Sequence, residues 1–355
     1  MSKAQGSERD PSYFGYYAQF QHQQNMLMDQ VRTTAYQTAI TASPALFSGK
    51  TVMDLGAGSG ILSFFSIQAN ANQVYAVEAS GMAKNIQKLA QSRPEYREKV
   101  FVVHDKIENS NADRPVQIPP VDTIVSEPIG VLLVHERMLE SYLGAMVPSS
   151  GTIFLAPFSD AALWTMTMAK VRFWEQPDFH GVDFTPLVPD AARETFAQPV
   201  VGCFDSRILM SAAVPHKIDF LSVTESQLRS FSIPVRWASG YTGILHGIAG
   251  WFDIELAPGF ILSTAPNAER THWQQVRFLF KDPLAVNAGD VIQGIFHMTV
   301  NDNRSYDLSV ELHTSVGASR SATWNLHEQT YHYPDPIDIS RPEFNAMYLP
   351  EKSLE

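Results

Sequence analysis

The stretch TVMDLGAGSG, residues 51–60, decides the fold of this chain of 355 residues. Apolar, strand-forming residues run up to Leu55, and glycines then alternate at Gly56, Gly58 and Gly60. Glycines at alternate positions let the backbone turn sharply out of a buried strand and approach a ligand without interference from a Cβ atom. The stretch therefore predicts a strand, a ligand-binding turn and a helix, which together are the first unit of an α/β fold.

An acid beyond the next apolar run narrows the choice of ligand. Glu78 follows the run 73–77 and is placed to accept hydrogen bonds from both hydroxyls of a ribose. The glycines are spaced Gly-x-Gly-x-Gly, unlike the Gly-x-Gly-x-x-Gly of dinucleotide sites, and no Lys-Ser/Thr pair follows to cradle a phosphate. S-adenosylmethionine has a ribose and an amino-acid end without a pyrophosphate, so it is the predicted cofactor. The predicted contacts are Asp54, Gly56, Gly58, Gly60 and Glu78.

The composition predicts a soluble protein with two domains. It is 45% hydrophobic and 18% charged, which suits a large buried core. No apolar run approaches the roughly 20 residues of a membrane helix, and residues 1–6 lack the apolar core of a signal peptide, so we expect neither a membrane span nor export. The single cysteine, Cys203, cannot form an internal disulfide, which suits the cytoplasm or the nucleus, and no basic import cluster decides between them.

The formal net charge of −11 bears on possible partners. Direct nucleic-acid binding is not expected, because neutralising phosphates requires clustered Lys and Arg that this chain lacks. A negative field favours encounters with cationic partners such as basic peptides, although many acidic proteins are acidic only for solubility.

The pattern changes along the chain and divides it into domains. Residues 1–50 contain a stretch, Tyr13–Ile40, that is typical of a helix. In residues 51–150, short apolar runs alternate with helical stretches, which predicts a parallel, doubly wound, Rossmann-like sheet with its ligand site at the carboxyl ends of the strands. Residues 151–330 contain strand-like runs separated by turn signals, at 152–158, 244–256, 273–280, 291–300 and 306–313, so we predict an antiparallel sheet or barrel.

Two further segments stand apart from these domains. Residues 164–201 are too apolar for a solvated loop, and we expect this arm to pack either on the barrel or on a second subunit. Residues 331–355 form a proline-rich C-terminal tail, predicted to be extended or mobile.

Two glutamates mark a second candidate site. Glu127 lies two residues after the end of the fourth apolar run, 121–125, and Glu136 lies nine residues later, beyond a glycine-containing hairpin. A pair of carboxylates in an otherwise apolar loop indicates a site for a cation. A metal is the competing ligand, but no His/Asp cluster completes an oxygen-rich coordination shell, so we predict no metal site.

Three motifs, in the same order, resemble those of the protein arginine methyltransferase family. They are the cofactor loop at 52–63, the double-glutamate loop at 126–128 with 136–140, and Thr271-His272-Trp273. The resemblance covers roughly residues 9–330.

The resemblance implies both a fold and a reaction. It implies a Rossmann-like S-adenosylmethionine-dependent methyltransferase domain followed by an antiparallel β-barrel-like domain with a helical dimerisation arm, and an N-terminal helical segment that closes over the cofactor. It also implies methyl transfer to arginines of proteins such as histones. The apolar density of residues 164–201 further predicts that this arm docks on the cofactor domain of a second subunit, which gives a head-to-tail homodimer. The segment 173–183 is most similar to the coactivator-associated, type I subgroup, which forms mono- and asymmetric dimethylarginine.

The resemblance also assigns roles to individual residues. The implied catalytic residues are Glu127, Glu136, His272 and its partner Asp29. The implied cofactor contacts beyond the glycine turn and Glu78 are Phe14, Arg32, Glu108 and Ser141, and the implied substrate contacts are Tyr17, Met26 and Trp273.

The two glutamates suit this chemistry. A guanidinium is a poor nucleophile because its positive charge is delocalised. Carboxylates that bind different guanidinium nitrogens would hold the charge on their side and leave one nitrogen aligned with the methyl donor. The His272–Asp29 pair would take up the departing proton, brace the pocket, or do both.

One departure from the family pattern leaves other interpretations open. The chain passes from residues 148–151 almost directly into the first barrel strand, where the family has a longer connection. A shorter connection could shift the barrel and displace His272. The alternatives are therefore an active arginine methyltransferase, a catalytically impaired scaffold of the same fold, and, more distantly, a small-molecule methyltransferase.

Overall fold

Residues 10–41 form three helices, where the sequence predicted a single helix over Tyr13–Ile40. The structure is a computed structural model and describes residues 10–106, 118–141 and 146–332. The helices are α1 (Asp10–Tyr17), α2 (Phe20–Met28) and α3 (Gln30–Thr41). The predicted continuous helix is wrong at Asp29, where the backbone is extended and the side chain accepts a hydrogen bond from the backbone N–H of Arg32 at 2.9 Å. That contact caps α3 and starts a new helix.

The predicted parallel sheet of the cofactor domain is confirmed, and in the described residues it has a fifth strand beyond the four apolar runs of the prediction. Its strands are β1 (Thr51–Leu55), β2 (Gln73–Val77), β3 (Val100–Val103), β4 (Thr123–Ser126) and β5 (Met146–Val147), in the order β3-β2-β1-β4-β5. The helices are α4 (Pro44–Phe47), α5 (Ile61–Gln68), α6 (Ala83–Ser92) and α7 (Pro94–Arg97). Because all the strands run in one direction, the glycine turn, Glu78 and Glu127 meet at their carboxyl edge.

The β-rich half contains two sheets, most of whose strands pair antiparallel. The strands are β6 (Ser150–Phe158), β7 (Val200–Val201), β8 (Val214–Asp219), β9 (Ser230–Ala238), β10 (Gly243–Ala257), β11 (Phe260–Ser263), β12 (Val276–Val286), β13 (Val291–Asn301), β14 (Ser305–Thr314), β15 (Ser319–Asn325) and β16 (Thr330–Tyr331). The larger sheet has the order β16-β7-β12-β10-β6-β8, with β11 paired to β10, and the smaller has the order β15-β14-β13-β9. A short helix, α10 (Glu225–Arg229), precedes β9.

Two buried tryptophans connect the two sheets. Trp237 of β9 donates its indole N–H to the carbonyl oxygen of Leu155 on β6 at 3.2 Å. Trp324 of β15 donates to the carbonyl oxygen of Leu279 on β12 at 3.1 Å. Each tryptophan is 1% exposed, so each contributes both a large apolar area and a specific bond across the sheets.

The predicted arm contains two helices that pack on their own barrel. These are α8 (Ala161–Arg172) and α9 (Val188–Ala197). Leu163 and Phe196 on their inner faces join a buried cluster with Phe158 and Trp251 of the barrel. The region between the helices carries aromatic side chains in mutual contact, Phe173, Trp174, Phe179 and Phe184, and Phe173 is 47% exposed. The base of the arm thus belongs to the barrel, and its tip offers apolar surface.

None of the helices within the described ranges has the length and apolar character needed to cross a membrane.

Trp324→Ala should lower the free energy of unfolding by about 3–5 kcal/mol, because it removes a buried aromatic side chain. Trp324→Phe is the matched control: it keeps most of the apolar volume but leaves the carbonyl oxygen of Leu279 unpaired, at a cost of about 1–3 kcal/mol. Urea denaturation followed by circular dichroism measures both values. If both variants lost the same free energy of unfolding, a packing role for the indole would be contradicted.

Candidate active site

The glycine turn lies between β1 and α5 and requires its glycines. Gly56, Gly58 and Gly60 have φ values of +71°, +54° and +80°, a region that other residues rarely adopt. A Cβ atom at Gly58 would lie 2.9 Å from Oε1 of Gln23, so the turn also packs closely against α2. The glycines therefore allow the positive φ values of the turn, and at Gly58 the missing side chain lets α2 pack closely against it.

Glu78 is held directly against this turn. Its carboxylate accepts the backbone N–H of Gly58 at 2.7 Å and that of Ser80 at 2.7 Å. The residue is 7% exposed. The structure thus places a buried carboxylate beside the turn, and the predicted contact of Glu78 with a ribose stays a prediction.

Asp54 lies beneath the turn at the end of β1. Its Oδ2 accepts the hydroxyl of Ser63 on α5 at 2.6 Å, and its Oδ1 has no partner among the described residues. Burial raises the pKa of Asp54 to about 7, with a further rise from the nearby Glu78 and an opposing effect of the Ser63 hydrogen bond. Asp54 thus joins the strand to the helix and keeps one buried acceptor unpaired.

The loop that carries Glu136 is held in an unusual backbone conformation. Leu132, Leu133, Glu136 and Arg137 all have positive φ values, of 54°, 73°, 74° and 54°. Such conformations are costly for residues with side chains and persist only when the surroundings enforce them.

The barrel holds the loop in this conformation by binding two of the loop's side chains. His135 Nδ1 lies 2.8 Å from the hydroxyl of Ser305, and Nη1 of Arg137 donates to the carbonyl oxygen of Asn301 at 3.2 Å. The same Arg137 makes a two-pronged ion pair with Glu140 at 2.7 Å. The loop that presents Glu136 is therefore fixed by the hairpin between β13 and β14. Sequence reasoning missed His135 and Arg137, because their partners are more than 160 residues away.

The two glutamates both accept donors from the N-terminal helices. Arg32 of α3 forms an ion pair with Glu127, and the two side chains are only 7% and 12% exposed. The Tyr17 hydroxyl donates to Oε1 of Glu136 at 2.8 Å, and burial together with this carboxylate raises the pKa of Tyr17. The carboxylates therefore face the N-terminal helices, and Glu127 already binds a guanidinium.

His272 and Asp29 meet across the molecule. Asp29 Oδ2 lies 2.7 Å from both Nδ1 and the backbone nitrogen of His272. Burial is the largest influence on the pKa of His272 and lowers it, against the opposing effect of Asp29. Burial alone would raise the pKa of Asp29, but the hydrogen bonds from His272 and Arg32 lower it overall. The carboxylate of Asp29 therefore accepts a hydrogen bond from Nδ1–H of a neutral His272, which leaves Nε2 as an acceptor.

The short interdomain connection does not displace His272. Only Pro148 and Ser149 separate β5 from β6, yet the contact with Asp29 is formed. The neighbouring Trp273 is 4% exposed and donates its indole N–H to the carbonyl oxygen of Ile129 at 3.0 Å. This placement makes Trp273 a support for the double-glutamate loop, and the predicted substrate contact of its side chain stays a prediction.

Two of the remaining predicted residues, Phe14 and Met26, lie on the N-terminal helices α1 and α2. The ring of Phe14 is 4.6 Å from Nζ of Lys106, just beyond β3, and the carbonyl oxygen of Met26 accepts a hydrogen bond from Nη1 of Arg32 at 3.4 Å. Glu108 and the side chain of Ser141 lie outside the described residues. Within the described part of the chain, no group of three His, Cys, Asp or Glu side chains could hold a metal ion.

Comparisons with known proteins agree with this architecture. The model of the arginine methyltransferase oligomerization subdomain matches residues 149–319, and that of the ribosomal protein L11 methyltransferase matches residues 33–146. A histone-arginine methyltransferase named CARMER, from Drosophila yakuba, is 42% identical over 335 residues, which are 90% of this chain. The chain spans 62% of the length of that relative.

Solved structures of the same kind share the fold. Protein arginine methyltransferase 10 of Arabidopsis thaliana is 26% identical, has a TM-score of 0.76, and covers 88% of this chain and 99% of its own. The Trypanosoma brucei PRMT1 enzyme–prozyme complex with AdoHcy is 24% identical, with a TM-score of 0.75, and covers 87% of this chain and 99% of its own.

The fold and the site together define a class of protein: a Rossmann-like methyltransferase domain joined to an antiparallel β domain. The relatives make the assignment narrower. Over 90% of its length this chain is similar to a histone-arginine methyltransferase, and its residues 149–319 match the arginine methyltransferase oligomerization subdomain.

Asp29→Asn should lower the free energy of unfolding at neutral pH by about 1.5–3 kcal/mol, the range for hydrogen bonds to charged groups. Asparagine still caps α3, so the loss reports the charge that faces His272. The pKa of Asp29 is lower in the folded protein than its ordinary 3.8. The stabilisation is therefore present above that unfolded value and disappears as pH falls through the lower folded value.

Urea denaturation across this pH range provides the measurement. The curves of wild type and Asp29→Asn should converge at acidic pH, while the control Asp190→Asn, which breaks an exposed ion pair with Arg193, should track wild type throughout. A difference that stays constant with pH would rule out the charge as its origin.

Proposed function

We propose that this protein is a protein arginine N-methyltransferase that uses S-adenosylmethionine. The observation that carries the proposal is the pair Glu127 and Glu136, at the carboxyl edge of the sheet beside the glycine turn, with Glu127 already bound to the guanidinium of Arg32. A site that holds one guanidinium on a buried carboxylate suits a second from a protein substrate. The relative from Drosophila yakuba is named a histone-arginine methyltransferase, which supports the same reaction.

The residues at the glycine turn fit the cofactor. Glu78 would accept the ribose hydroxyls, and the turn gives the backbone close access. Arg32 would bind the methionine carboxylate, and its Nε has no partner among the described residues. Bound here, S-adenosylmethionine supplies an electrophilic methyl group on a sulfonium.

Glu127 and Glu136 would prepare the substrate arginine. Each carboxylate would accept hydrogen bonds from a different guanidinium nitrogen and draw the positive charge away from the nitrogen that attacks. Orientation contributes as well, and well-aligned reactions gain up to about 7–11 kcal/mol from proximity. Arg32 pairs with Glu127 through Nη2, beside its Nε, so a carboxylate bound to that edge would release Glu127 for the substrate.

His272 and Asp29 would then manage the proton. The neutral imidazole has Nε2 available, and Asp29 stabilises the imidazolium that forms when the methylated arginine releases its proton. The pair also braces α3 against the barrel, so we assign it both roles. Tyr17 and Met26 would line the arginine channel, with Phe14 over the cofactor. A methionine at this position suits a type I enzyme, which forms mono- and asymmetric dimethylarginine.

The substrates we propose are histones and other arginine-containing proteins, consistent with the net charge of −11 and the names of the relatives. Such substrates place the protein in the nucleus, the cytoplasm or both. The proposal is tested by incubating the protein with labelled S-adenosylmethionine and arginine-rich proteins, followed by mass spectrometry of the methylarginine isomers. Asymmetric dimethylarginine is the expected product. Binding of the cofactor without any transfer would favour a scaffold instead.

Glu127→Gln should reduce methyl transfer by about a hundredfold to a thousandfold, because a neutral amide cannot hold the guanidinium charge. Calorimetry should show S-adenosylmethionine binding largely retained. Glu269→Gln, an exposed acid near the Thr-His-Trp loop, changes the net charge equally and should leave turnover unchanged. Substantial turnover by Glu127→Gln would sink the charge-localisation mechanism.

We further propose a head-to-tail homodimer in which the arm tip docks on the cofactor domain of a second copy. Light scattering at micromolar concentration should give twice the chain mass of 39.5 kDa. Phe173→Glu with Val182→Glu should return the mass to that of one chain, because both side chains are exposed at the tip. Ile295→Glu, which alters an equally exposed side chain on β13, is the control and should remain dimeric. A wild-type monomer would overturn this arrangement.

A further inference from the structure

Arg277 is a buried arginine in which three of the five guanidinium N–H donors, one on Nε and two on Nη2, have no partner among the described residues. It lies on β12, and its side chain is 3% exposed. Nη1 donates to Oδ2 of Asp160 at 2.8 Å, whereas Nε and Nη2 have no partner among the described residues. Leaving buried donors of a charged group unpaired costs free energy, so the lack of partners for Nε and Nη2 needs an explanation.

The geometry of the guanidinium defines what would fit. Nε–H and the adjacent Nη2–H point the same way and form the fork that binds two oxygens of one anion. Asp160 occupies the other end of the guanidinium, through Nη1. The unpaired edge of Arg277 is therefore complementary to a carboxylate or a phosphate.

This arginine lines a cavity of about 700 Å³ at the base of the arm. The cavity is also lined by Arg270, Gln275, Cys203 and Phe204, and the Phe204 ring lies 5.4 Å from the guanidinium carbon of Arg277. Gln275 is 5% exposed and its Oε1 also lacks a partner in the described part of the chain, while its Nε2 donates to the carbonyl oxygen of Thr264 at 2.8 Å. Two buried polar side chains with unused atoms thus share one cavity.

The two acids that line the cavity, Asp160 and Asp205, are both paired. Asp160 is engaged by Arg277 and by the first turn of α8, where its Oδ1 accepts the backbone N–H of Leu163 at 2.9 Å. Asp205 is paired with Arg207. The other lining basic residue, Arg270, therefore adds to the positive potential beside Arg277. Burial and the positive charge of Arg277 lower the pKa of His332, another lining residue, so this histidine is neutral.

The adjacent strand cannot supply the missing acceptor from a side chain. Gly202 follows β7, and a Cβ atom there would lie 3.5 Å from Nη2 of Arg277. The same Cβ atom would lie 2.2 Å from the carbonyl oxygen of His332, so no side chain fits at this position.

We propose that this cavity is a binding site for an anion that presents two oxygens, a carboxylate or a phosphate, gripped by the Nε–Nη2 edge of Arg277. It is built from β12 and the base of the arm, and it is separate from the double-glutamate site. No feature of the proposed methyl transfer uses it.

Cys203 is the only cysteine in the chain and lines this cavity, so it can report on the site. Its thiolate displaces iodide from iodoacetate, which carries a carboxylate, or from iodoacetamide, which is neutral. The ratio of the two rates cancels effects of exposure and thiol pKa, which act on both reagents. Mass spectrometry of the full chain should give a ratio about tenfold above that of glutathione, the equivalent of about 1.4 kcal/mol for one charge-assisted contact. A ratio equal to that of glutathione would overturn the proposal.

Competition then identifies the anion. Acetate and inorganic phosphate, each compared with chloride at equal ionic strength, should slow iodoacetate more than chloride does. Acetate alone as competitor identifies a carboxylate site, and phosphate alone identifies a phosphate site. Failure of both anions to compete would contradict the site.

Arg277→Lys tests the fork itself. Lysine keeps a charge for Asp160 but cannot present two parallel donors, so the rate ratio should fall several-fold towards that of glutathione. Arg229→Lys, at an exposed ion pair with Glu225, is the matched control and should behave as wild type. Circular dichroism verifies folding, and if Arg277→Lys does not fold, the wild-type ratio still decides the question. Because alkylation does not depend on methyl transfer, this test stands apart from that of the proposed function.

Discussion

The carboxylate of Asp29 is the contact on which the site depends. One oxygen caps α3 through the backbone N–H of Arg32, and the other binds both the ring and the backbone of His272. The first contact ends the preceding helix and sets the direction of the next, which brings Arg32 to Glu127. The second ties the N-terminal helices to the barrel over a separation of 243 residues. A single buried charge thus joins the N-terminal segment to both domains.

The double-glutamate loop depends on the barrel in a similar way. Its positive φ values would not persist in an isolated loop, and the contacts of His135 with Ser305 and of Arg137 with Asn301 hold it from one side. Trp273 supports it from another through the carbonyl oxygen of Ile129. The barrel therefore fixes the conformation of the loop that carries Glu136.

Much of the fold could be predicted from the sequence, because parallel strands and amphipathic helices have local patterns. β1 and β2 have the predicted bounds, and the glycines and Glu78 lie where the spacing placed them. The predicted single helix at Tyr13–Ile40 failed because a capping aspartate inside an apolar pattern gives only a weak local signal. The barrel strands β8, β9 and β15 were missed, since half-buried antiparallel strands depend on neighbours far along the chain.

The sequence by itself determined the glycine turn, the acid Glu78 that follows β2, and the presence of paired glutamates. Those features depend only on short spacings and on the chemistry of the residues. Only the tertiary structure decided that Arg32 meets Glu127, that Tyr17 meets Glu136 and that Asp29 meets His272. It also decided that Arg277 is buried with an unpaired edge in a cavity. Each of these contacts depends on the approach of distant segments and on the exclusion of water. Neither the approach nor the burial can be predicted from a local stretch of residues.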